Sequence, residues 1–380
     1  MSFRITATVL ASGVAASATL GEFVPFLTMM GEEFALPLTT VGWLSSAITL
    51  VAGLGCLPLG VWMDRRRLRG MFVAALVALG MTGLGAVVVQ GVAQLFLLRL
   101  VQAAGYAVVV VAGPGLLARL LQGRARRAAL ASWGLCIPAG LALAAVLGAI
   151  VGAAGWRANA TAVGALALVA AALAGALPRD RYHRQEEDGR TGTVNKQWAV
   201  ALLAAGFAMI ALVGVSVVTF LPAYLAAGPG WSASRASLAA GLVSGVSVLG
   251  SLAAGGALRA RVRPGRLIAA ALLMAPLSAG VFLTPSVAAT VYAGAVLGIN
   301  GLAVSAVFAA LPLVAGGRLS LGAGAVTQAG SLGTLLGPPL YAWVVEAGGW
   351  GAAIAVTAVL SCGGVGCAMA ALRGGSRRGA

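Results

Sequence analysis

The sequence predicts an all-α membrane protein of twelve transmembrane helices, arranged as two pseudo-symmetric six-helix bundles. Composition, the alternation of apolar runs with arginine-rich turns, and an internal duplication predict it. Of the 380 residues, 60% are hydrophobic and only 9% charged, and the mean hydropathy is +1.00. Soluble chains carry about 25% charged residues, so this one cannot cover a water-facing surface. Twelve spans of about 20 apolar residues would use about 240 positions, leaving short connections and no room for a sizeable soluble domain.

With Gly, Pro and charges as boundaries, the first set of spans falls near 6–30, 40–62, 71–90, 94–117, 128–153 and 157–177. A second set falls near 198–226, 236–257, 266–284, 287–312, 320–346 and 351–372. Arg4, the apolar stretch from Ile5 and the Ala16-x-Ala18 triplet resemble a cleavable leader. The run nevertheless continues to Met30, which is the length of a full span. Between the sets lies the one long polar stretch, Pro178 to Gln197, with five basic residues and four of the nine acids. The expected organisation is an N-terminal bundle over 1–177, a cytoplasmic linker over 178–197, and a C-terminal bundle with a short tail over 198–380.

Orientation follows from the loops. If the N-terminus is inside, 22 of the 25 Arg and Lys fall on the cytoplasmic side, and only Arg99, Arg157 and Arg235 lie on or near the other. Both termini are then cytoplasmic and the number of spans is even. The duplication appears at a shift of about 195 residues: Pro25 falls on Pro222, Gly60 on Gly256, and Gly155-Trp156 on Gly349-Trp350. Six spans plus six in parallel relation is an architecture of secondary transporters whose halves rock against each other. Glycine pairs one turn apart, Gly148/Gly152, Gly241/Gly245 and Gly333/Gly337, are expected where helices approach closely.

The net charge of +16 does not mark a nucleic-acid binder, because the arginines sit in short clusters between spans with no aromatic-interleaved basic face. Cys56, Cys136, Cys362 and Cys367 lie inside apolar runs without a C-x-x-C pair, and are expected as small buried hydrophobes. No phosphate-cradling G-x-x-x-x-G-K-[ST] loop or metal-ligand cluster is encoded. His183, the one histidine, falls in the linker. Proton chemistry therefore has to use carboxylates, and within the spans these are Glu22 and Glu346. Glu346, near the outer end of span 11, is expected as an interfacial charge reaching water. Glu22, in the outer part of span 1, and Arg99, just inside the outer end of span 4, share a depth where charge is costly. Such a pair is either a structural ion pair or a protonatable acid tuned by a fixed cation.

The turn after span 2, Gly60-Val-Trp-Met-Asp64-Arg65-Arg66-Arg67-Leu-Arg69, resembles the G-x-x-x-D-R-x-x-x-R signature loop of the major facilitator superfamily, with Arg67 at the family's glycine. Its second-half copy keeps Gly256, Arg261 and Arg263 but has Ala260 at the acid. Arg99-x-x-Gln102 resembles the family's R-x-x-Q-G motif, with Ala103 at the glycine, and Gly134, Pro138 and Gly140 loosely resemble its antiporter motif. Glu22-Phe23-Val24-Pro25 resembles the opening of the proton-coupled sugar and drug efflux branch, with Gly21 at the threonine.

The resemblance implies alternating-access transport of a small organic solute across the inner membrane, with proton-coupled export as the first expectation. Uptake of a small anion with Arg99 as ligand is the alternative, and a non-transporting membrane sensor a third. It also implies proton coupling by Glu22 and Arg99, and a substrate cavity that includes Gln102, Tyr106, Tyr224 and Asn300. A conformational lock would use Gly60, Asp64, Arg65, Arg69 and Arg119, Asp64 capping span 11 near Ser320. No enzymatic activity, cofactor or metal is expected. The expected partners are a small-molecule substrate, protons and the lipid bilayer, with no nucleic acid, and the chain is expected to act as a monomer.

Overall fold

In hydrocarbon a backbone finds no water, so a long apolar run must satisfy its own peptide groups, and the helix does this locally. The computed structural model, which describes residues 2–64, 66–180, 197–227, 231–283, 287–315 and 319–376, is helical throughout with no strand among them. Its helices are α1 (Ser2–Gly21), α2 (Leu27–Glu33), α3 (Leu38–Ser46), α4 (Leu50–Asp64), α5 (Leu68–Gly85), α6 (Val92–Leu120), α7 (Gly123–Trp133), α8 (Cys136–Val151) and α9 (Gly155–Gly175). They continue as α10 (Gln197–Ala227), α11 (Ala233–Arg259), α12 (Pro264–Ala269), α13 (Met274–Leu283), α14 (Val287–Ala315) and α15 (Leu319–Ser376).

Among the described residues, ten helical stretches are long and apolar enough to cross a bilayer. Two of the twelve expected spans are not counted separately, for identifiable reasons. Span 5 is broken: α7 stops at Trp133, the Leu135 N–H turns back to Ser132 O, and only the shorter α8 remains as its apolar part. Trp133 fills the space over Gly13 of α1 and Gly113 of α6, where any Cβ would collide with the indole. Spans 11 and 12 form the continuous α15, interrupted at Gly349 (φ 69°).

The chain divides into two compact units. One comprises Met1–Pro37, Leu44–Gln185 and Ser232–Gly241; the other comprises Leu38–Trp43, Glu186–Trp231 and Leu242–Ala380. In the first, Phe72, Leu76, Leu79, Ala112 and Leu116 are fully buried between α5 and α6. Leu54, Val61, Ile150, Val169 and Val359 are exposed, although large and apolar. A surface of this kind suits lipid and not water. Cys56 and Cys136 are buried as expected, whereas Cys362 is exposed on its apolar helix.

The duplication has a structural counterpart. In the first unit Gly155 turns with φ 79°, and Trp156 then packs edge-on to Phe23, two residues before Pro25, at 5.7 Å. In the second, Gly349 turns with φ 69°, and Trp350 packs against Phe220, two residues before Pro222, at 6.5 Å. Of the glycine pairs, Gly333 and Gly337 lie directly on the α10 backbone at Ala208 and Leu212. Gly152 instead ends α8 with φ 51°, and Gly245 has nothing within 4 Å of where a Cβ would stand. Those two positions serve a turn and an open face.

Gly349→Ala should destabilise the protein by about 1–2 kcal/mol, the cost of a left-handed conformation for an L-residue. Nothing lies within 4 Å of the new methyl, so the cost is purely conformational. Gly351→Ala, equally open but helical, should be neutral or stabilising by up to about 1 kcal/mol. Thermal unfolding of the two purified variants checks this; equal melting temperatures would refute the turn's role.

Candidate functional site

The site begins with a break in span 1. Pro25 has no N–H to donate, so α1 ends at Gly21, and Val24–Phe26 forms a 3₁₀ turn before α2 resumes. The Phe26 N–H donates to Phe23 O at 2.9 Å, leaving the Glu22 carbonyl without that helical donor. Asn159 of α9 supplies one: its Nδ2 donates to Glu22 O at 2.7 Å. A second irregularity lies in span 2, where Ala47–Thr49 is 3₁₀ between α3 and α4.

Arg99 of α6 reaches both irregular regions. Its Nε donates to Leu44 O at 3.1 Å, and its Nη1 to Thr19 O at 2.9 Å. The same Nη1 lies 3.3 Å from Glu22 Oε1 and donates to Gln102 Oε1 at 2.8 Å. Gln102 Nε2 closes the ring by donating to Glu22 Oε1 at 2.8 Å. The spacing Arg99-x-x-Gln102 places both side chains on one face of α6. Glu22, Arg99, Gln102 and Asn159 are all 0% exposed. The Phe23 ring lies 4.0 Å from the guanidinium carbon, and beyond Phe23 stand Trp156 and then Arg157, whose guanidinium lies 4.2 Å over the indole. Arg157 pairs with Glu33 at 2.8 Å. Three polar atoms of the buried cluster have no partner: Glu22 Oε2, Arg99 Nη2 and Asn159 Oδ1.

The structure thus brings Glu22, Arg99 and Gln102 together. Tyr106, one turn further along α6, is packed in the apolar core of the same unit. In the second unit Tyr224 packs edge-on against Phe282 at 5.6 Å and Trp350 at 5.0 Å. Asn300 Nδ2 donates to Ile210 O at 2.7 Å, a helix-to-helix bond between α14 and α10. Glu346 is exposed, as expected. Asn159 was not singled out in the sequence, where it is one amide in an alanine-rich span next to Arg157.

Of the signature-turn residues, Gly60 would meet only Val111 at 3.8 Å with a Cβ, an ordinary contact. The expected cap by Asp64 near Ser320 falls on side chains outside the described residues, as do Arg65 and His183. Arg69 Nη2 donates to Gly175 O at the end of α9. Arg119 Nη1 donates to Arg66 O and to Asp180 Oδ2, both at 2.9 Å. Asp180, counted above with the linker acids, is in fact buried and caps α5, accepting from the Leu68 N–H at 2.9 Å and the Arg69 N–H at 3.2 Å. Burial works to raise its pKa, but these two N–H groups and Arg119 outweigh it and hold the carboxyl below its ordinary 3.8. A carboxyl depressed on folding stabilises at all pH values above its unfolded value and loses that contribution only as pH falls through the lower folded value. Asp180→Ala should therefore cost about 1–2 kcal/mol at neutral pH, through the lost cap and an unpaired Arg119. Melting of the variant at pH 7 checks it, and an unchanged transition would remove Asp180 from the bundle's framework.

The described residues form helices long and apolar enough to cross a bilayer, and comparison with known proteins agrees with that fold. The bacterial homologue of the human lysosomal transporter Spinster, in its inward-facing occupied form, is 16% identical, with a TM-score of 0.73 over 99% of this chain and 94% of that one. Its unoccupied form gives 0.76 at 16% identity, over 98% and 95%. The nucleoside transporter NupG (D323A mutant) gives 0.71 at 14% identity, over 97% and 99%. These likenesses show the fold. No curated protein sequence matches the chain. The sequence model of the Major Facilitator Superfamily matches residues 7–318, and the chain belongs to that family, a multi-pass membrane transporter and not an enzyme.

Proposed function

We propose that the protein exports a small organic solute in exchange for protons, with Glu22 as the proton carrier and Arg99 as the fixed charge that tunes it. The observation that carries this is a carboxyl with no solvent exposure, one oxygen shared by Arg99 and Gln102 and the other without any partner. A carboxylate there is held by its cation. A neutral carboxyl loses that attraction, yet Arg99 keeps its carbonyl ligands on Thr19 and Leu44, so protonation does not strand the guanidinium. Protonation then loosens the bond between α1 and α6 without unfolding the bundle. In this reading residues 1–177 and 198–380 are the two rocking halves, 178–197 is the linker, and the arginine asymmetry places both termini in the cytoplasm of an inner-membrane protein.

Arg99 as the ligand of a small anion fits less well. Its Nε and Nη1 are already occupied by protein oxygens, and Glu22 cancels its charge. Gln102 is the one cavity candidate that touches the coupling pair; Tyr106, Tyr224 and Asn300 have packing roles in this proposal.

Purified protein in liposomes under an imposed pH gradient, screened against sugars, drugs and small anions, should accumulate a substrate in a gradient-dependent way. Glu22→Gln should abolish gradient-driven accumulation while leaving exchange of that substrate partly intact; a fully coupled variant would remove Glu22 from the mechanism. Arg99→Lys should lower transport about tenfold or more, the scale of one lost charged hydrogen bond. An ammonium lacks the guanidinium's planar fork and cannot reach Leu44 O and Thr19 O together. Wild-type rates in that variant would mean that charge alone matters.

A further inference from the structure

The buried cluster around Glu22 leaves two acceptors and one donor group without a partner: Glu22 Oε2, Asn159 Oδ1 and Arg99 Nη2. Glu22 Oε2 and Asn159 Oδ1 are both acceptors without a donor, at zero exposure. Two such atoms in one layer are costly while the carboxyl is charged. A proton placed on Oε2 turns that oxygen into a donor, and Asn159 Oδ1 is an acceptor of the same cluster that has no donor. The competing acceptors are engaged, because Gln102 Oε1 and Thr19 O both receive Arg99 Nη1. Asn159 is also aimed at this position, since its Nδ2 is tied to the backbone carbonyl of Glu22 itself.

We propose that Asn159 is the polar partner of protonated Glu22: the Oε2–H of the neutral carboxyl donates to Asn159 Oδ1, which raises the proton affinity of the site. This rests on Glu22 being the proton carrier. Asn159 is a positioning residue whose amide does two things at once. Its NH₂ holds the open carbonyl at the α1 break, and its oxygen stabilises the uncharged form of the same residue. In the charged state Glu22 therefore leans on α6 through Arg99 and Gln102, and in the neutral state on α9 through Asn159. Protonation moves a tie of α1 from one neighbouring helix to another.

The other titratable groups on elements packed against α1 are, among the described residues, Arg69 on α5, Tyr106 and Arg119 on α6, Arg126 on α7, Cys136 on α8 and Arg157 on α9. Cys136 donates to Leu10 O, Arg157 pairs with Glu33, Arg119 pairs with Asp180, and Arg69 holds Gly175 O. Arg99 alone is ion-paired with the Glu22 carboxyl.

The test follows the carboxyl directly and needs no substrate. Full-length protein is titrated with pH while the infrared C=O stretch of neutral carboxyls is recorded, and the Glu22 component is identified by its loss in Glu22→Gln. Asn159→Leu, of similar volume and without an acceptor, should move the Glu22 midpoint to lower pH by about one unit, a tenfold loss of proton affinity. Asn159→Asp adds a neighbouring carboxyl and should move the midpoint the opposite way. A purely structural Asn159 would lower the yield of folded protein without shifts of opposite sign. An unchanged midpoint in folded Asn159→Leu overturns the proposal; should that variant not fold, an unchanged or lowered midpoint in Asn159→Asp does so. If Glu22→Gln removes no titrating component from the wild-type spectrum, the proton-carrier reading itself falls, a result distinct from either of the others.

Discussion

Arg99 carries five N–H donors and a full charge into a layer of the protein that water does not reach, and much of the first unit is arranged around supplying oxygens to it. A guanidinium in such a place must be neutralised and hydrogen-bonded, or it costs more than the fold can sustain. Regular helices offer no free carbonyls. The irregular stretches at Glu22–Phe26 and Ala47–Thr49 lie close to the carbonyls of Thr19 and Leu44, and both point to Arg99. Glu22 cancels the charge and Gln102 bridges the two. The proline that interrupts span 1 therefore matters less as a kink than as the place where the chain opens to take up a cation.

The two units share their mechanical parts and differ in their chemical ones. Each has a left-handed glycine followed by a tryptophan that packs on the phenylalanine two residues before a span-breaking proline. At the corresponding shift, however, the position of Glu22 is taken by Thr219. The buried polar bonds described in the second unit include Asn300 to Ile210 O and Tyr341 to Thr357. A duplication keeps what both copies need in order to pack and leaves each free to acquire its own buried charges. The Glu22–Arg99 pair of the first unit has no counterpart among the described residues of the second.

The end of the first unit that carries the signature turn follows similar logic. Asp180 satisfies the first two N–H groups of α5 and pairs with Arg119, while Arg69 reaches the last turn of α9. In the sequence Asp180 stands at the start of a polar stretch among three other acids, and composition assigns it to solvent. Its burial comes from the short distance between the end of α9 and the start of α5, which no periodicity along the chain records. Asn159 was hidden for a related reason: an amide in an alanine-rich span has no pattern of its own, and its importance comes from a carbonyl 137 residues away. Glu22 and Arg99 were legible because charge inside an apolar run is rare enough to be conspicuous.

What the sequence determined by itself is what a bilayer imposes on any chain: the helical class, the positions of most spans, the turn at Gly349, and the common depth of one acid and one arginine. These are one-dimensional quantities, set by run length, by a glycine at a span boundary and by distance from a span's end. The tertiary structure decided which oxygen faces which nitrogen. It also broke span 5 around Trp133, buried Asp180, and brought Asn159 to the carbonyl of Glu22. Those outcomes depend on how each helix is rotated about its axis and how closely it meets its neighbours, which only the packing of all of them together can settle.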